Sequence, residues 1–212
     1  WGNQGYFWIS YHDTSFRNGT FYRMSSPSTF SRIYQHDPLG RVGARGYGNT
    51  TAWMAHVFTA QANETLGAVG FYTTDANVSY EISVYTGVTS GPTSGTRVSG
   101  PQTGNEAYAG FHTVPLTTSV GVTSGQKFSV VVRLVDSSYT FPVAYEYAEA
   151  GYSEKARASA GESYISSGGT SWTDLTTVDA SANVCLKAYA GTSGPTPTGG
   201  GTPTPTGTVT AT

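Results

Sequence analysis

The segment SSGGTSWTDL, residues 166–175, combines an aromatic plane with several hydrogen-bonding groups. A pyranose ring stacks its C–H face on an aromatic side chain, and its hydroxyls bond to nearby carboxylates, amides and hydroxyls. We therefore predict a carbohydrate-binding site at Trp172 and Asp174, with Tyr152 and Tyr164 as further members. The alternative is that Trp172 packs back on the domain and fills a gap in its core.

Oxygen-bearing side chains at two other places could hold a hard cation. Asp37 lies in the turn-like segment QHDPLG, and Glu146 and Glu149 follow a strand in the segment PVAYEYAEAGY. Calcium accepts carboxylates, backbone carbonyls and water from irregular loops, so these residues predict a calcium site. Two alternatives stay open: Asp37 caps a turn, and the glutamates lie at a solvated strand end. Zinc is not expected, because there is no H-x-x-x-H or C-x-x-C pair.

The residues of hydrolytic enzymes are present but are not arranged in a catalytic pattern. The histidines are His12, His36, His56 and His112. None of the many serines lies in a G-x-S-x-G elbow. His56 alternates with Met54 and Phe58 along one strand face, which predicts a packed histidine. The lone Cys185 lies between apolar neighbours, which predicts a buried small hydrophobe. We expect no catalytic activity in this chain.

Composition excludes several classes of partner. The chain has 212 residues, only 11% of which are charged, and a formal net charge of -2. There is no broad basic surface for nucleic acid or anionic lipid. No apolar stretch reaches the roughly 20 residues that a membrane-spanning helix needs. We expect one main domain, no nucleic-acid partner and no membrane insertion.

Glycosylation motifs favour an extracellular location. Sequons of the type N-x-S/T occur at Asn18, Asn49, Asn63 and Asn77. Such motifs can carry N-linked sugar in secreted proteins, although several arise by chance in a chain rich in serine and threonine. The N-terminus has no basic start followed by an apolar core, so we expect any signal peptide to be removed or to lie upstream.

The elements that must position these residues are strands. Brief runs rich in Val, Ile, Tyr and Phe alternate with Gly, Ser and Thr, which is a strand-and-turn rhythm. The predicted strands cover residues 52–60, 66–73, 79–86, 111–116, 126–135, 141–147 and 183–190. We predict an all-β fold, a two-sheet antiparallel sandwich.

Details of the pattern add four expectations. Within 79–86, Ile82 and Val84 face the core, opposite Glu81, Ser83 and Tyr85. The run FSVVVRLV is apolar almost throughout, which predicts a central strand. The segments TGVTSGPTSGTRVSG and SSGGTSWTD are predicted to be long loops. Residues 191–212, rich in Gly, Pro and Thr, predict a disordered linker or tail.

Several segments resemble a known family. The start, WGNQGYFWISYHD, resembles the end of a papain-type peptidase domain, and the rest is similar to the lectin-like domain that follows it in bacterial and archaeal surface cysteine proteases. The segments that carry the second resemblance are IYQHDPLG, AVGFYTT, GFHTVPL, GQKFSVVVRL, GESYIS and NVCLKAY. This resemblance implies a jelly-roll-like sandwich, a binding role and a calcium ion.

The resemblance also implies a domain division and an origin. Residues 1–20 would be a peptidase remnant, 21–190 the lectin-like sandwich and 191–212 the tail. The catalytic Cys, His and Asn of that peptidase family lie upstream of the motif and are not in this chain. We expect a cell-surface accessory module whose partners are an upstream peptidase domain and a surface glycan or glycoprotein. The alternatives are a structural module that self-associates in the cell envelope, and a partial product of an active peptidase.

Overall fold

The computed structural model describes residues 29–191, and within them the chain forms thirteen strands, one short 3-10 helix and no α-helix. The strands are β1 Arg32–Gln35, β2 Gly43–Arg45, β3 Thr51–Thr59, β4 Glu64–Thr73, β5 Val78–Thr86, β6 Thr96–Glu106, β7 Gly110–Val122, β8 Lys127–Val135, β9 Val143–Glu146, β10 Ser163–Ser166, β11 Thr173–Asp174, β12 Asn183–Val184 and β13 Leu186–Ala190. The 3-10 helix covers Leu175–Thr177. Asn18, the 1–20 segment and most of the tail lie outside the described residues.

Two antiparallel sheets form the sandwich. The first has four strands in the order β1-β13-β4-β7, and the second has six in the order β11-β10-β3-β8-β5-β6. A smaller three-stranded sheet, β12-β9-β2, lies beside them. The predicted two-sheet antiparallel sandwich is therefore confirmed, with this third sheet as an addition.

The core consists of alternate residues on the facing sides of the two sheets. β8 lies between β3 and β5, as predicted, and contributes Phe128, Val130, Val132 and Leu134, which are all fully buried. Apolar side chains at every second position fit a sheet with one face on the core. Burial of this apolar surface is the main source of stability for the domain.

The predicted strands are present, and the structure adds others. The predicted strand at 183–190 is divided at Cys185 into β12 and β13. The segment TGVTSGPTSGTRVSG is a loop only in its first part, because Thr96 already begins the long strand β6. The segment SSGGTSWTD likewise begins at the end of β10 and contains β11. Both loop predictions were therefore too broad.

Polar side chains hold β6 in place, which explains why an apolar pattern does not reveal it. Of its eleven residues only Ser99 is buried. Ser99 Oγ donates to the carbonyl of Thr118, and Gln102 Nε2 donates to the carbonyl of Pro115, both on β7. The amide of Thr117 donates in return to Gln102 Oε1. These bonds connect the edge of the six-stranded sheet to the other sheet.

Candidate functional site

Two buried carboxylates lie around one turn. Asp37 follows β1 and opens a turn in which the amide of Gly40 donates to the carbonyl of Asp37. Glu146 ends β9 and lies opposite Asn183 of β12 in the strand register. Side chains at directly opposite positions lie on the same face and close together. Asn183 Nδ2 donates to the carbonyl of His36, which places its amide beside the same turn.

Each carboxylate has one oxygen that is well bonded. Asp37 Oδ2 lies 2.9 Å from Lys187 Nζ, which also contacts Gln35 Oε1 at 2.8 Å. Glu146 Oε2 accepts the amides of Leu39 at 2.5 Å and Gly40 at 3.0 Å. The turn thus fixes the glutamate, while the lysine neutralises the aspartate.

The second oxygen of each carboxylate is buried without a partner among the described residues. These atoms are Asp37 Oδ1 and Glu146 Oε1, and the amide oxygen Asn183 Oδ1 is in the same state. Burial raises the pKa of Asp37 to about 7 despite Lys187, and it also raises the pKa of Glu146. Unsatisfied buried oxygens favour a proton or a cation, and hard oxygen donors suit calcium.

The structure thus brings Asp37 and Glu146 together, whereas Glu149 lies apart from them. Glu149 is exposed, and its Oε2 accepts the hydroxyl of Tyr147 at 3.2 Å. Asn183 was missed by the sequence analysis, because its proximity follows from a long-range strand pairing. Within residues 29–191, no group of three or more His, Cys, Asp or Glu is placed to hold a metal.

A second set of candidate side chains covers the outer side of the six-stranded sheet. We call it the outer face and define it by Trp53, Glu81, Tyr85, Val131 and Arg133. Trp53 pairs with Arg133 across β3 and β8, and Arg133 pairs with Glu81 across β8 and β5. Their neighbours in sequence point into the core, so alternation places these side chains outside.

Arg133 is the centre of this row. Its guanidinium lies over the Trp53 ring, 5.3 Å from the ring centroid, which is a cation–π arrangement. Its Nη1 lies 3.9 Å from Glu81 Oε2, an ion pair without a hydrogen bond. Nε is buried and has no partner in the described part of the chain. The arginine therefore contacts Trp53 and Glu81 but makes no hydrogen bond with the described residues.

Two loops meet over one end of the outer face. Trp172 Nε1 donates to Thr93 Oγ1 at 3.1 Å, which joins the loop before β11 to the loop before β6. Ser129 Oγ donates to the carbonyl of Pro92, which brings the second loop down onto the sheet. Gly169 lies so close to Trp53 that a Cβ would be 2.7 Å from its Nε1. Only glycine fits there.

Two adjoining clefts lie on the outer face and share Glu81 and Arg133. The arginine cleft, of about 60 Å³, is lined chiefly by Trp53, Tyr85, Thr93, Arg97 and the shared pair. The wide cleft, of about 440 Å³, is lined chiefly by Ser79, Thr103, Asn105, Val135 and the shared pair. Together they present aromatic, hydroxyl, amide and charged groups along one shallow surface, as sugar recognition requires.

The predicted carbohydrate-binding residues occupy different places. Trp172 is half-buried at the rim of the outer face, where it joins two loops. Asp174 caps the 3-10 helix by accepting the amide of Thr176 at 2.9 Å, and its other oxygen accepts the amide of Gly161. Tyr164 lies opposite Asp174 in the strand register, and burial raises its pKa.

Tyr152 lies apart from this group. It is 76% exposed, in the turn after β9.

The sequence analysis placed Glu81 and Tyr85 on the outward side of their strand, which is confirmed, but it gave them no role. Trp53, Arg97 and Arg133 were missed altogether. Strict alternation with core residues along β3 and β8 is the signal that could have found Trp53 and Arg133.

The predicted packed histidine and buried cysteine are confirmed. His56 is fully buried, its Nδ1 lies 2.8 Å from the carbonyl oxygen of Leu186, and burial holds its pKa well below the usual range. Cys185 is fully buried, and burial raises the pKa of its thiol well above the usual range. A thiol in this state is a poor nucleophile.

Three of the predicted glycosylation sites lie on the described surface. Asn49, Asn63 and Asn77 are all exposed. Asn77 has a φ of 57°, a left-handed conformation that asparagine tolerates better than most residues. Asn63 Oδ1 accepts the amide of Ser124, so its amide nitrogen is the free end of the side chain. In residues 29–191, no helix is long and apolar enough to cross a membrane.

Comparisons with known proteins agree with this fold. The family model described as "Lectin like domain" matches residues 33–190. The structure is similar to the clostridial cysteine protease Cwp84 after propeptide cleavage, with a TM-score of 0.65, 25% identity, and 80% of this chain and 42% of that chain covered. No curated protein matches the chain.

A second solved structure contains the cysteine protease and lectin-like domains of Cwp84, a surface layer associated protein of Clostridium difficile. It matches with a TM-score of 0.61 and 25% identity, over 80% of this chain and 37% of that chain. The chain thus spans less than half the length of these relatives. Since the family model covers nearly all of the sandwich, the chain belongs to the lectin-like domain family.

Proposed function

We propose that this chain is a non-catalytic glycan-binding module that acts beside a cysteine peptidase at the cell surface. The observation that carries the proposal is the outer face, where aromatic and polar side chains line two adjoining clefts. Sugars bind on such shallow surfaces through ring stacking and hydrogen bonds to their hydroxyls. Membership of the lectin-like family supports this assignment.

The absence of catalysis is supported by the state of the described nucleophile and bases. Cys185 and His56 are fully buried. His36 stacks on Phe58 with ring centroids 4.8 Å apart, and its Nε2 lies 3.0 Å from the carbonyl oxygen of Val57. A general base must reach a nucleophile, and these groups are occupied by structural contacts.

The relatives support a peptidase partner and a surface location. Cwp84 carries a lectin-like domain with its cysteine protease domain and is associated with a surface layer. We extend both features to this chain. Exposed Asn49, Asn63 and Asn77 would then be available for glycosylation.

A glycan array with the purified chain and two variants tests the binding role. Trp172→Ala opens the loop contact with Thr93 at the outer face. Tyr152→Ala removes an equally large aromatic side chain from the separate turn after β9. We expect specific, saturable binding that the first variant weakens several-fold, because it releases the two loops that meet over the outer face, and that the second leaves unchanged.

Two outcomes would contradict different parts of the proposal, namely the position of the site and the glycan-binding role itself. Loss of binding in the Tyr152 variant alone would move the site to the turn after β9. A blank array with an intact, folded chain would contradict the glycan-binding role itself. Thermal unfolding of each variant establishes that the fold is retained.

We also propose that the turn after β1 holds a calcium ion. Asp37 and Glu146 would supply carboxylate oxygens, and Asn183 would supply its amide oxygen, since one oxygen of each is buried without a partner in the described chain. One lysine, Lys187, pairs with Asp37, so a cation would balance the second carboxylate. Such an ion would connect β1, β9 and β12 and would have a structural role.

A structural role is the second candidate, and the outer side of the four-stranded sheet favours it. We call this side the aromatic face and define it by Ile33, Tyr72, Phe111 and Tyr189. Ile33 is 52% exposed and Phe111 is 38% exposed. The chain enters the domain here, because the ring of Phe30 lies 4.5 Å from that of Tyr189. An upstream domain would be well placed to pack on this apolar surface.

A further inference from the structure

We propose that the outer face binds an acidic glycan and that Arg133 and Arg97 recognise the carboxylate of its sugar. The inference rests on the proposed glycan-binding function and adds the chemical class of the ligand. It starts from the arginine cleft, where two guanidinium groups and a single carboxylate, Glu81, line a space of about 60 Å³.

The first step is the unsatisfied state of Arg133. The guanidinium makes no hydrogen bond with the described residues, and its nearest carboxylate oxygen is 3.9 Å away. A guanidinium has N–H donors along two edges and binds carboxylates through a parallel pair of them. Nε is buried, but the side chain as a whole is 40% exposed, so the Nη donors can reach a ligand in the cleft and have no acceptor among the described residues.

The second step is the rigidity of that donor. The guanidinium carbon lies 5.3 Å from the centroid of the Trp53 ring, and Gly169 packs closely against the same indole near its Nε1. Stacking on an aromatic face fixes a guanidinium, so little entropy is lost when it binds. Glu81 opposite it in the sheet orients the group without saturating it.

The third step is the charge of the arginine cleft. Arg97 lies opposite Tyr85 on β6, is exposed, and has no ion-pair partner among residues 29–191. Two arginines against one glutamate give the cleft a formal charge of +1, since 2 − 1 = 1. The whole chain has a net charge of -2, so this local excess is not a general property of the surface.

The fourth step is size. The arginine cleft is small, with a volume of about 60 Å³, so it suits a single carboxylate rather than a whole sugar. The adjoining wide cleft, of about 440 Å³, is in the range of small-molecule sites. It offers the hydroxyls of Ser79 and Thr103 and the amide of Asn105 to the hydroxyls of a sugar ring.

Matched pairs of acidic and neutral sugars test the inference. Oligosaccharides that end in glucuronate or galacturonate are compared with the same oligosaccharides that end in glucose or galactose, by calorimetric titration of the full chain. A charge-assisted pair of hydrogen bonds predicts that the acidic member binds at least about tenfold more tightly. Arg133→Gln should reduce this preference several-fold, because it removes the bidentate donor and leaves only Arg97 facing the carboxylate.

Two control variants make the result specific. Lys155→Gln removes one positive charge from an exposed position outside the clefts and should keep the preference. Arg133→Lys keeps the positive charge but loses the bidentate geometry, so it should keep only part of the preference for the acidic sugar. Unfolding curves are recorded for every variant.

The remaining outcomes overturn the inference in distinguishable ways. Equal affinity for acidic and neutral sugars would overturn it and leave the glycan-binding function standing. So would an equal loss for both sugars in the Arg133→Gln variant. An acidic peptide that binds as tightly as the acidic sugars would replace the glycan as ligand, and no binding of any sugar would overturn both proposals.

Discussion

The turn after β1 contains buried oxygen atoms without hydrogen-bond partners, and their energetic cost favours a bound cation. Asp37 Oδ1, Glu146 Oε1 and Asn183 Oδ1 are buried and accept no hydrogen bond from the described residues. A buried polar atom without a partner costs roughly 1–3 kcal/mol, and more when it is charged. A bound cation would remove this cost for all of them at once, whereas a proton on Glu146 would satisfy fewer oxygens.

The first prediction is a calcium-dependent gain in stability. Calcium at 100 times its dissociation constant adds about 2.7 kcal/mol, which raises the melting temperature of a domain of this size by roughly 5–10 °C. Glu146→Gln should abolish this gain, because it removes the charge next to the unpaired oxygens. Glu149→Gln should keep it, since Glu149 is exposed. Thermal unfolding with calcium or with chelator measures the difference, and identical curves in both would contradict the proposal.

The second prediction concerns the titration of His56. Burial lowers its pKa well below 6.5, and His36 and Lys187 add unfavourable charge near it. Below about pH 6.5 the unfolded chain binds a proton that the folded chain refuses, so this residue lowers stability as the pH falls, by up to about 1.4 kcal/mol per pH unit. His56→Gln removes the titrating group and keeps a donor for the carbonyl of Leu186.

The test of this prediction is a comparison of slopes. Urea unfolding of wild type and His56→Gln is measured from pH 7.5 to pH 5. The stability of the wild type should fall relative to the variant below about pH 6.5, whereas the contribution of Asp37, which has the opposite sign, cancels in the difference. Parallel curves would mean that His56 accepts a proton in the folded state.

At the scale of elements, apolar strands could be predicted from the sequence and polar edge strands could not. The run from Lys127 to Val135 is recognisable because both of its sides carry apolar residues. β6 is not, because polar residues and glycine dominate it and side-chain hydrogen bonds to β7 replace apolar burial. β10 and β11 are short pieces whose pairing depends on tertiary contacts.

The same distinction explains how much of the candidate sites could be predicted. Asp37, Glu146 and Trp172 were found because they lie in or beside turn segments with suitable chemistry. Asn183 and Arg133 were not, because their roles depend on neighbours across a sheet. Alternation predicts the side of a strand on which a residue lies, but it does not predict the strand that lies beside it.

The third prediction tests the close packing in the middle of β4. A Cβ on Gly70 would lie 2.6 Å from Phe111 Cζ and 2.8 Å from Tyr189 Cε2. Gly70→Ala should therefore cost about 1–3 kcal/mol through overpacking. Gly121→Ala on β7 is the matched control, because nothing lies within 4 Å of its added Cβ. Denaturant unfolding measures both, and equal stabilities would show that the two rings move aside freely.

At the scale of the whole molecule, the two outer sides of the sandwich have opposite characters. The outer face of the six-stranded sheet carries charged and hydroxyl groups in open clefts. The aromatic face of the four-stranded sheet carries Ile33, Tyr72 and Phe111, with Tyr189 almost covered by its neighbours. A soluble ligand suits the first surface, and a protein surface suits the second. One domain could therefore bind a glycan and a neighbouring domain at the same time.

The last prediction separates these two roles. If the aromatic face packs on a peptidase domain, the chain studied alone leaves it uncovered and should self-associate at high concentration. Ile33→Thr keeps a β-branched residue in β1 and removes apolar surface, so it should weaken the association several-fold. Val178→Thr, at a position 43% exposed outside this face, should leave it unchanged. Sedimentation equilibrium measures the association constant of each variant.

The sugar affinity of the same variants is the second measurement. The outer face and the aromatic face lie on different sheets, so a substitution in one should not affect the other. Ile33→Thr should bind the same sugars as wild type with unchanged affinity, since substitutions at distant sites act independently. If the wild-type chain stays monomeric at all concentrations, the aromatic face does not self-associate. If Ile33→Thr weakens sugar binding and association together, the glycan site lies between copies of the chain, and the division of the two roles between the sheets is wrong.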